Sequence, residues 1–193
     1  MITHLSGKLV EKNPTYIIVE CHGVGYFLNI SLHTFSLLPE NENIKIYTHL
    51  QVKEDSHTLF GFMEKTEREI FLLLISISGI GPSIARTMLS SLNPVQVRDA
   101  IAGGDVAKIQ AVKGIGAKTA QRVIVELKDK ILKVHDMGEV SLPSNNTTKE
   151  EALSALEVLG FTRRLSEKVV DRVLSQDSSL SVEETIKQAL KNL

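Results

Sequence analysis

Residues 78–89 read SGIGPSIARTML and residues 113–128 read KGIGAKTAQRVIVELK, so the chain contains the same Gly-Ile-Gly pattern twice, 35 residues apart. Glycine adopts backbone angles that other residues resist and leaves neighbouring amides unshielded. The isoleucine between the glycines can anchor a tight turn in the core. Because each copy lies between two segments of helical periodicity, the repeat predicts two turns of one kind, each joining a pair of helices.

Such a turn can bind an anion, because amide N–H groups at the start of the following helix, helped by the helix dipole, attract negative charge. Phosphate oxygens of a nucleic acid fit this site, and contacts of this kind hold a duplex without reading its sequence. Lys118 and Arg122 follow the second turn and can add charge-assisted contacts. The residues predicted to bind the nucleic acid are Gly79, Ile80, Gly81 and Ser83 in the first copy and Lys113, Gly114, Ile115, Gly116, Lys118, Thr119 and Arg122 in the second.

The glycine pattern is also similar to three other features: a plain helix–helix turn, a P-loop and a dinucleotide-binding fingerprint. A lone Gly-Ile-Gly is as typical of a plain helix–helix turn, but two copies in register favour binding. A P-loop requires Gly-Lys-Thr in succession, whereas residues 116–119 read GAKT, so no ATPase is expected. A dinucleotide fingerprint requires a preceding strand and a third small residue. That match is weak, because Ile84 stands at the third position.

Charge is segregated along the chain, although the net charge is only −1. Residues 1–62 contain four Lys or Arg against six Asp or Glu, residues 63–133 contain eleven against seven, and residues 134–193 contain seven against ten. The middle segment, which carries both glycine turns, is therefore the basic one. A local basic surface on a nearly neutral chain is typical of a protein that binds a polyanion.

Composition also limits the function classes. The single cysteine, Cys21, excludes an internal disulfide and a multi-thiolate zinc site, and neither a metal nor a cofactor is expected. The first residues lack the apolar core of a signal peptide, and no apolar run approaches the roughly 18 residues of a membrane span. We therefore expect a cytoplasmic protein with no membrane partner.

Residues 1–62 carry the signals of short β-strands. From Ile44 to Val52 apolar and polar residues alternate, which is the period of a half-buried strand. Four further β-rich runs are separated by turn formers, at residues 5–10, 16–21, 26–30 and 58–62. Five short strands predict a small β-barrel of the OB-fold type.

Residues 63–133 change to helical spacing and predict an all-α domain. An apolar stripe from Ala120 to Ile131 is interpreted as core rather than as a binding face. The expected boundary residues are Thr66 with Glu69 as a capping box, Pro82 and Pro94 as first helical residues, Gly103 and Gly104 as a helix end, and Asp105 as a cap.

The rest of the chain predicts a tether and a small helical module. Residues 134–146 lack periodicity and are interpreted as a flexible linker. Residues 147–193 predict three short amphipathic helices, with capping boxes at Thr148/Glu151 and Ser181/Glu184. A module this small buries only a thin core, so docking to a partner is its expected role.

Each glycine turn resembles the helix-hairpin-helix motif of DNA-binding proteins, and the whole chain resembles the RuvA family of bacterial Holliday-junction recognition subunits. The most specific matches are GKL at residues 7–9, VKEDSHTLFGF at 52–62, SGIGPSIA at 78–85 and KGIGAKTAQRVIVELKDK at 113–130. The resemblance implies an α+β protein with an OB-fold barrel, a tandem helix-hairpin-helix domain and a UBA-like three-helix end. It implies no catalytic residues.

The resemblance also implies partners. Barrels would meet in a homotetramer, and the hairpins would hold the arms of a four-way junction through the phosphate backbone and the minor groove. Residues 147–193 would bind the RuvB motor ATPase, for branch migration in recombination and repair. Whether one tetramer or two, an octamer, cover a junction stays open, as does contact with the RuvC resolvase.

Individual residues take roles from this resemblance. Glu54 and Asp55 correspond to an acidic pin, whose carboxylates would repel phosphates at the junction centre; on its own, the pair is typical of a solvated turn. Many family members have a lysine where this chain has Ser83, so the first hairpin should hold DNA less through charge. The candidate residues for docking the motor are Leu156, Leu159 and Phe161, although Leu156 and Leu159 are expected to belong to the core.

Two other function classes compete with junction binding. A helix-hairpin-helix nuclease or glycosylase is one alternative, but Asp129 lies too close to the second hairpin for the catalytic aspartate of such glycosylases, and Glu54 with Asp55 alone does not make a nuclease centre. A structural adaptor that binds only proteins is the other, and it predicts no affinity for DNA.

Overall fold

The computed structural model of the 193-residue chain describes residues 1–40, 42–134, 146–177 and 180–193. The chain forms two compact units, which divide between residues 139 and 140 and are described separately. The predicted linker, residues 134–146, lies almost entirely outside the described residues. No helix within the described ranges is long and apolar enough to cross a membrane.

The first unit begins with a closed five-stranded barrel. Its strands lie in the order β1-β2-β3-β5-β4, with β1 pairing β4 to close it and β3 running parallel to β5. Ile44 and Ile46 point into the barrel, as the alternating pattern predicts. This confirms the OB-fold prediction. The strands are β1 His4–Asn13, β2 Tyr16–Cys21, β3 Val24–Asn29, β4 Asn43–Val52 and β5 His57–Phe62.

A short helix between β3 and β4, α1 Leu32–Ser36, was not expected from the sequence. Its five residues are too few to show helical periodicity. Ser31 caps it by accepting a hydrogen bond from the Thr34 amide, which is what a serine at this position does. The helix brings Ser31 and Thr34 to the boundary with the helical part of the unit.

The helical part contains both glycine turns, and several predicted boundaries are confirmed. Pro82 and Pro94 are first helical residues, Gly104 ends α4 with φ +74°, and Asp105 caps α5 by accepting from the Lys108 amide. The apolar stripe of α6 is buried, as expected. The helices are α2 Lys65–Ile75, α3 Pro82–Ser91, α4 Pro94–Gly103, α5 Val106–Gln110 and α6 Ala117–Lys133.

The predicted capping box at Thr66 and Glu69 is wrong. Helix α2 begins at Lys65 after Glu64, so Thr66 already lies in its first turn. The start is set by tertiary structure, because the chain leaves β5 at Phe62 and Glu67 is buried against α1. A capping box that was not predicted does occur at Asn93 and Gln96, before α4.

The barrel and the helices share a core. Phe71 of α2 packs against Phe60 and Phe62 of β5, with ring centroids 5.2 and 4.9 Å apart. Both β5 rings belong to the helical core rather than to the barrel interior. Because aromatic pairs at this spacing stabilise beyond their buried area, the hairpins have a firm attachment to the barrel.

The second unit is a three-helix module, as predicted, made of α7 Asn146–Val158, α8 Arg163–Gln176 and α9 Val182–Asn192. The capping box at Ser181 and Glu184 is confirmed. The one at Thr148 and Glu151 is wrong, because α7 begins at Asn146 and Thr148 lies inside it. Helix α7 starts before Thr148, so Thr148 and Glu151 both lie inside the helix and cannot form a capping box at its start.

Candidate nucleic-acid interface

The two Gly-Ile-Gly turns have the same backbone. We call residues 76–81, between α2 and α3, the first hairpin, and residues 111–116, between α5 and α6, the second hairpin. Gly79 and Gly114 have φ +97° and +96°. Gly81 and Gly116 have φ/ψ of −87/168° and −83/165°. The positive φ at the first glycine of each pair is the conformation that glycine admits and other residues resist.

Hydrogen bonding is also repeated at the 35-residue offset. The amide of Ile80 donates to the Ile77 carbonyl at 3.0 Å, and the amide of Ile115 donates to the Val112 carbonyl at 3.1 Å. Ile80 and Ile115 are both buried in the helical core. The central isoleucine therefore anchors each turn, as the sequence predicted, and is not itself a surface contact.

Each hairpin presents the start of a helix to solvent. The N-cap residues, Gly81 and Gly116, are exposed and provide no side-chain hydrogen bond to the first turn of α3 or α6. First-turn N–H groups without a capping side chain, at the positive end of the helix dipole, form an anion site. One difference follows from the sequence, since Pro82 has no N–H where Ala117 has one.

The charge of the two hairpins differs much more than their backbone. Three basic residues of the second hairpin and α6 are exposed, and the residues at the same offset in the first copy are hydroxyl-bearing. The pairs, first copy then second, are Ser78 and Lys113, Ser83 and Lys118, and Thr87 and Arg122. The positive charge of this surface is therefore concentrated at the second hairpin.

The hairpins pack on each other with approximate two-fold symmetry. Thr119 of α6 lies against Gly79, 3.5 Å from the position that a Cβ would take, and Ile84 of α3 lies against Gly114 at 3.6 Å. Because residues 84 and 119 are themselves 35 apart, these are one contact seen twice. Arg122 adds a third contact, since its Nη1 donates to the Ser78 carbonyl at 3.1 Å.

The structure thus brings the two predicted hairpins together, with Ile80 and Ile115 buried beneath the turns rather than at the surface, and it adds two refinements. Thr119 is half-buried and serves mainly to hold the hairpins together. Arg122, from the second copy, reaches the loop of the first. Neither contact could be found from a repeat alignment, because an alignment places the two copies side by side without saying how they pack.

Glu54 and Asp55 lie at the tip of the turn between β4 and β5. The turn is closed by the Lys53 amide, which donates to the Ser56 carbonyl at 2.8 Å, and both acidic residues are exposed to solvent. Asp55 accepts a hydrogen bond from the Ser56 hydroxyl at 3.2 Å. The turn therefore presents two negative charges at one end of the barrel. In the described ranges no three His, Cys, Asp or Glu side chains are grouped so that they could hold a metal ion.

Comparison with known proteins agrees with this architecture in all three parts of the chain. Three family models match: "RuvA N terminal domain" over residues 1–61, "SAM-like Helix-hairpin-helix tandem" over 71–129 and "RuvA, C-terminal domain" over 148–193. The chain belongs to the RuvA family.

Relatives within this family are similar over their whole length. A protein of Christiangramia forsetii is 65% identical and one of Flavobacterium psychrophilum is 60% identical, each over 193 residues that cover both chains completely. A protein of Bacteroides thetaiotaomicron is 43% identical over 201 aligned positions, again covering both chains. Each of these relatives is named Holliday junction branch migration complex subunit RuvA.

In the RuvA C-terminal domain, the structure separates core from surface among the residues considered for docking. Leu156 is 0% exposed and belongs to the three-helix core, as expected, so it is not a surface contact. The expectation that Leu159 is core is wrong, because it is 58% exposed. Phe161 is partly buried against the core.

The reversal at Gly160 explains these positions. Gly160 has φ +97°, its amide donates to the Glu157 carbonyl, and the Phe161 amide donates to the Leu156 carbonyl at 3.0 Å. This is the Schellman arrangement, in which the residue after the glycine folds back onto the helix. Phe161 is therefore turned inward, and Leu159 is left outside.

An open apolar groove of about 530 Å³ lies beside Leu159 in the same domain. Val158, 86% exposed, was not singled out from the sequence, although it is the most exposed apolar side chain of α7. Glu151 gives the groove an acidic edge. The lining residues are Glu151, Ser154, Ala155, Val158, Leu159 and Ile186.

Proposed function

We propose that this chain is a non-catalytic, structure-selective DNA-binding subunit that holds a four-way junction open and presents it to a separate motor for branch migration. The observation that carries the proposal is the pair of hairpins. Two identical backbone turns, packed with two-fold symmetry, offer helix N-termini on one surface beside three exposed basic residues. The names of the three relatives support the same function.

The hairpins would bind the phosphates of one duplex arm across its minor groove. The two-fold arrangement suits the two antiparallel strands of a duplex, one hairpin to each strand. Such contacts position the duplex and do not read its sequence. Selectivity for a junction then comes from several copies engaging several arms at once, which raises the effective concentration of each further contact.

The acidic turn would act at the junction centre. Exposed carboxylates at Glu54 and Asp55 repel phosphates, so a continuous duplex crossing this position is disfavoured, whereas strands that separate around it are tolerated. This role requires that the barrels of several copies meet near the turn. We propose a homotetramer for that reason, and we extend the proposal to an octamer on one junction and to contact with the RuvC resolvase.

The C-terminal domain would bind the RuvB motor. Val158 and Leu159 expose apolar surface beside a groove with an acidic edge, which fits a partner segment with apolar side chains and a basic flank. We further propose the boundaries 1–62 for barrel and pin, 63–133 for DNA binding, 134–146 for the linker and 147–193 for motor docking. We also propose a cytoplasmic location, because that is where a bacterial protein would meet a DNA junction.

Binding to an immobile four-way junction, compared with linear duplex made from the same arms, tests the proposal. The measurement is a mobility shift across a salt series with the full chain. We expect junction preference at every salt concentration and a steep salt dependence on both substrates. Equal affinity would reduce the function to general duplex binding, and absence of binding would leave a protein adaptor.

The acidic turn has its own test. Glu54→Gln combined with Asp55→Asn removes both charges and keeps the shape, so duplex affinity should rise and junction preference should fall. Glu42→Gln, an exposed position elsewhere on the barrel, is the control and should change neither. Unaltered preference in the double variant would exclude the pin role, and Mg²⁺-dependent cleavage that Glu54→Gln abolishes would indicate a nuclease instead.

A further inference from the structure

A polar seam joins the helical part of the first unit to the barrel. We define it as residues 29–34, from the end of β3 through the start of α1. Arg86 of α3 reaches it with Nη1, which donates to the Asn29 side-chain oxygen at 2.9 Å and to the Thr15 carbonyl at 3.2 Å. Both acceptors are neutral, and both belong to the barrel.

One neighbouring contact, between Leu32 and Ser90, fixes the same helix to the seam, and two further bonds support it. The Ser90 hydroxyl accepts from the Leu32 amide at 3.1 Å and donates to the Arg86 carbonyl at 2.8 Å. The Ile30 amide donates to the same Thr15 carbonyl that Arg86 uses, at 3.1 Å. Arg86 is therefore part of a connected set of hydrogen bonds and is held in one orientation.

This set connects the first hairpin with the acidic turn. Arg86 lies three residues after Ser83, which is about 4.5 Å along the helix axis. Asn29 in turn donates through Nδ2 to the Leu59 carbonyl at 3.4 Å. Leu59 is in β5, the strand that leads away from the turn carrying Glu54 and Asp55.

Among the residues that the structure describes, the second hairpin has no equivalent hydrogen bond to the barrel. The residue at the same offset in α6 is Gln121, which is exposed. The barrel therefore orients the DNA-binding surface through the first hairpin, whose own side chains carry little charge.

We propose that Arg86 is a positioning residue for junction selectivity: it fixes the angle between the hairpins and the acidic turn and does not bind DNA itself. The inference rests on the proposed function. A duplex needs only one hairpin pair, and its binding tolerates a loose angle. A junction must meet several hairpin pairs and the acidic turns together, so its extra affinity depends on a fixed geometry.

Arg86→Ala tests this on the full chain, with junction and duplex measured at the same salt. The ratio of junction to duplex affinity should fall about tenfold, duplex affinity should stay within about twofold, and the duplex salt slope should not change. Arg98→Ala is the matched control, because it removes the same charge. Among the described residues, the Arg98 side chain bonds only to its neighbour Asp99. This variant should leave the ratio unchanged.

The outcomes separate the inference from the proposed function. Wild-type protein without junction preference would contradict the proposed function. Wild-type preference that survives Arg86→Ala would contradict the positioning role alone. Equal weakening on both substrates, with a salt slope lower by about one, would make Arg86 a phosphate contact and overturn the inference.

A conservative variant and a distance measurement cover the case in which Arg86→Ala unfolds. Arg86→Lys keeps the charge but not the planar guanidinium, so duplex binding should stay at the wild-type level and the junction-to-duplex ratio should be restored only in part. Spin labels at Lys53→Cys and Gln110→Cys, in a Cys21→Ser background diluted with unlabelled chain, report the angle without DNA. The distance distribution should broaden in Arg86→Lys, and an unchanged distribution would overturn the proposal.

Discussion

The first and second hairpins agree in backbone angles to within a few degrees, yet they differ at nearly every side chain that a phosphate would meet. The second has three exposed cations, and the first has hydroxyls at the same positions. The comparison teaches that glycine angles and a buried isoleucine are sufficient to build the amide site. Charge is a separate property that one copy has and the other lacks.

The hairpins also differ in what they are attached to. Pro82 costs α3 one amide donor that α6 keeps at Ala117, so the first hairpin is the weaker anion site on two counts. Helix α3, unlike α6, is hydrogen-bonded to the barrel through Arg86 and Ser90 in the part of the chain that the structure describes. We interpret the second hairpin as the main DNA-binding element and the first as the element that orients the DNA-binding surface.

The largest expected effect tests whether the first and second hairpins share the same backbone conformation. Gly79→Ala and Gly114→Ala should each lower the free energy of unfolding by about 1–2 kcal/mol, because both need a left-handed φ. The nearest atoms, at 3.5 and 3.6 Å, are in ordinary contact range, so strain rather than collision is the cause. Urea unfolding of the two variants measures it, and the losses should be equal.

The other glycine of each pair is the control. Gly81→Ala and Gly116→Ala have negative φ and no atom within 4 Å of the new Cβ. Stability should be unchanged or rise by up to about 1 kcal/mol, while DNA affinity falls because the methyl group occupies the phosphate face. If all four variants lose the same stability, the positive φ is not what distinguishes these positions.

The next effect tests the difference in charge. Lys118→Ala should weaken binding to every DNA substrate and lower the salt slope by about 0.9, the value for one phosphate contact. Ser83→Ala should weaken binding less and leave the slope unchanged, because a hydroxyl releases no counterion. Ser83→Lys should raise the slope by a similar amount. The measurement is duplex affinity across a salt series.

Lys128→Ala controls for the general loss of positive charge. Lys128 is exposed on the same helix, about 15 Å farther along its axis than Lys118. Its removal should leave the slope nearly unchanged. A slope that falls equally in both variants would mean that the salt dependence reports the net charge of α6 and not a contact at the second hairpin.

Most of the fold could be predicted because its signals are local. The alternation in β4, the proline starts of α3 and α4, and the two glycine turns are each set by residues close in sequence. The capping box at Thr66 could not be corrected from sequence, because the start of α2 depends on Glu67 reaching Ser31 and Thr34, more than 30 residues away.

The candidate site was predictable in composition but not in arrangement. The repeat identified the hairpin residues and the weak charge at Ser83. It could not show that Arg122 reaches Ser78 or that Arg86 faces the barrel, since both contacts span more than 40 residues. The exposure of Leu159 was equally hidden, because helical spacing continues through it and the reversal at Gly160 decides the outcome.

A smaller effect tests the coupling between the hairpins. Arg122→Ala removes the bond to the Ser78 carbonyl and should lower the free energy of unfolding by roughly 0.5–1.5 kcal/mol, besides weakening DNA binding. Arg122→Lys should keep the salt slope and lose the same stability. Thr87→Ala, the equivalent position in α3, breaks only a bond to the Ser83 carbonyl within its own helix. Equal stability losses at both positions would argue against a link specific to Arg122.

The smallest effect concerns pH and the attachment of the helices to the barrel. Burial raises the pKa of the Glu67 carboxyl, and the negative charge of the nearby Glu64 adds to the rise. Hydrogen bonds donated by Ser31 and Thr34, together with the neighbouring His33, oppose it. A carboxyl whose pKa is raised by folding contributes stability below its unfolded pKa and loses it as pH rises through the folded value.

Glu67→Gln stays neutral, so its unfolding free energy should rise relative to that of the wild type as the pH increases above about 4, the ordinary pKa of a glutamate carboxyl. Urea unfolding of both proteins across this range measures the difference, and Glu69→Gln, on the same helix, should show no such trend. A constant difference would mean that the two hydroxyl donors hold Glu67 ionised throughout. The attachment of the helices to the barrel through Glu67 would then be independent of pH.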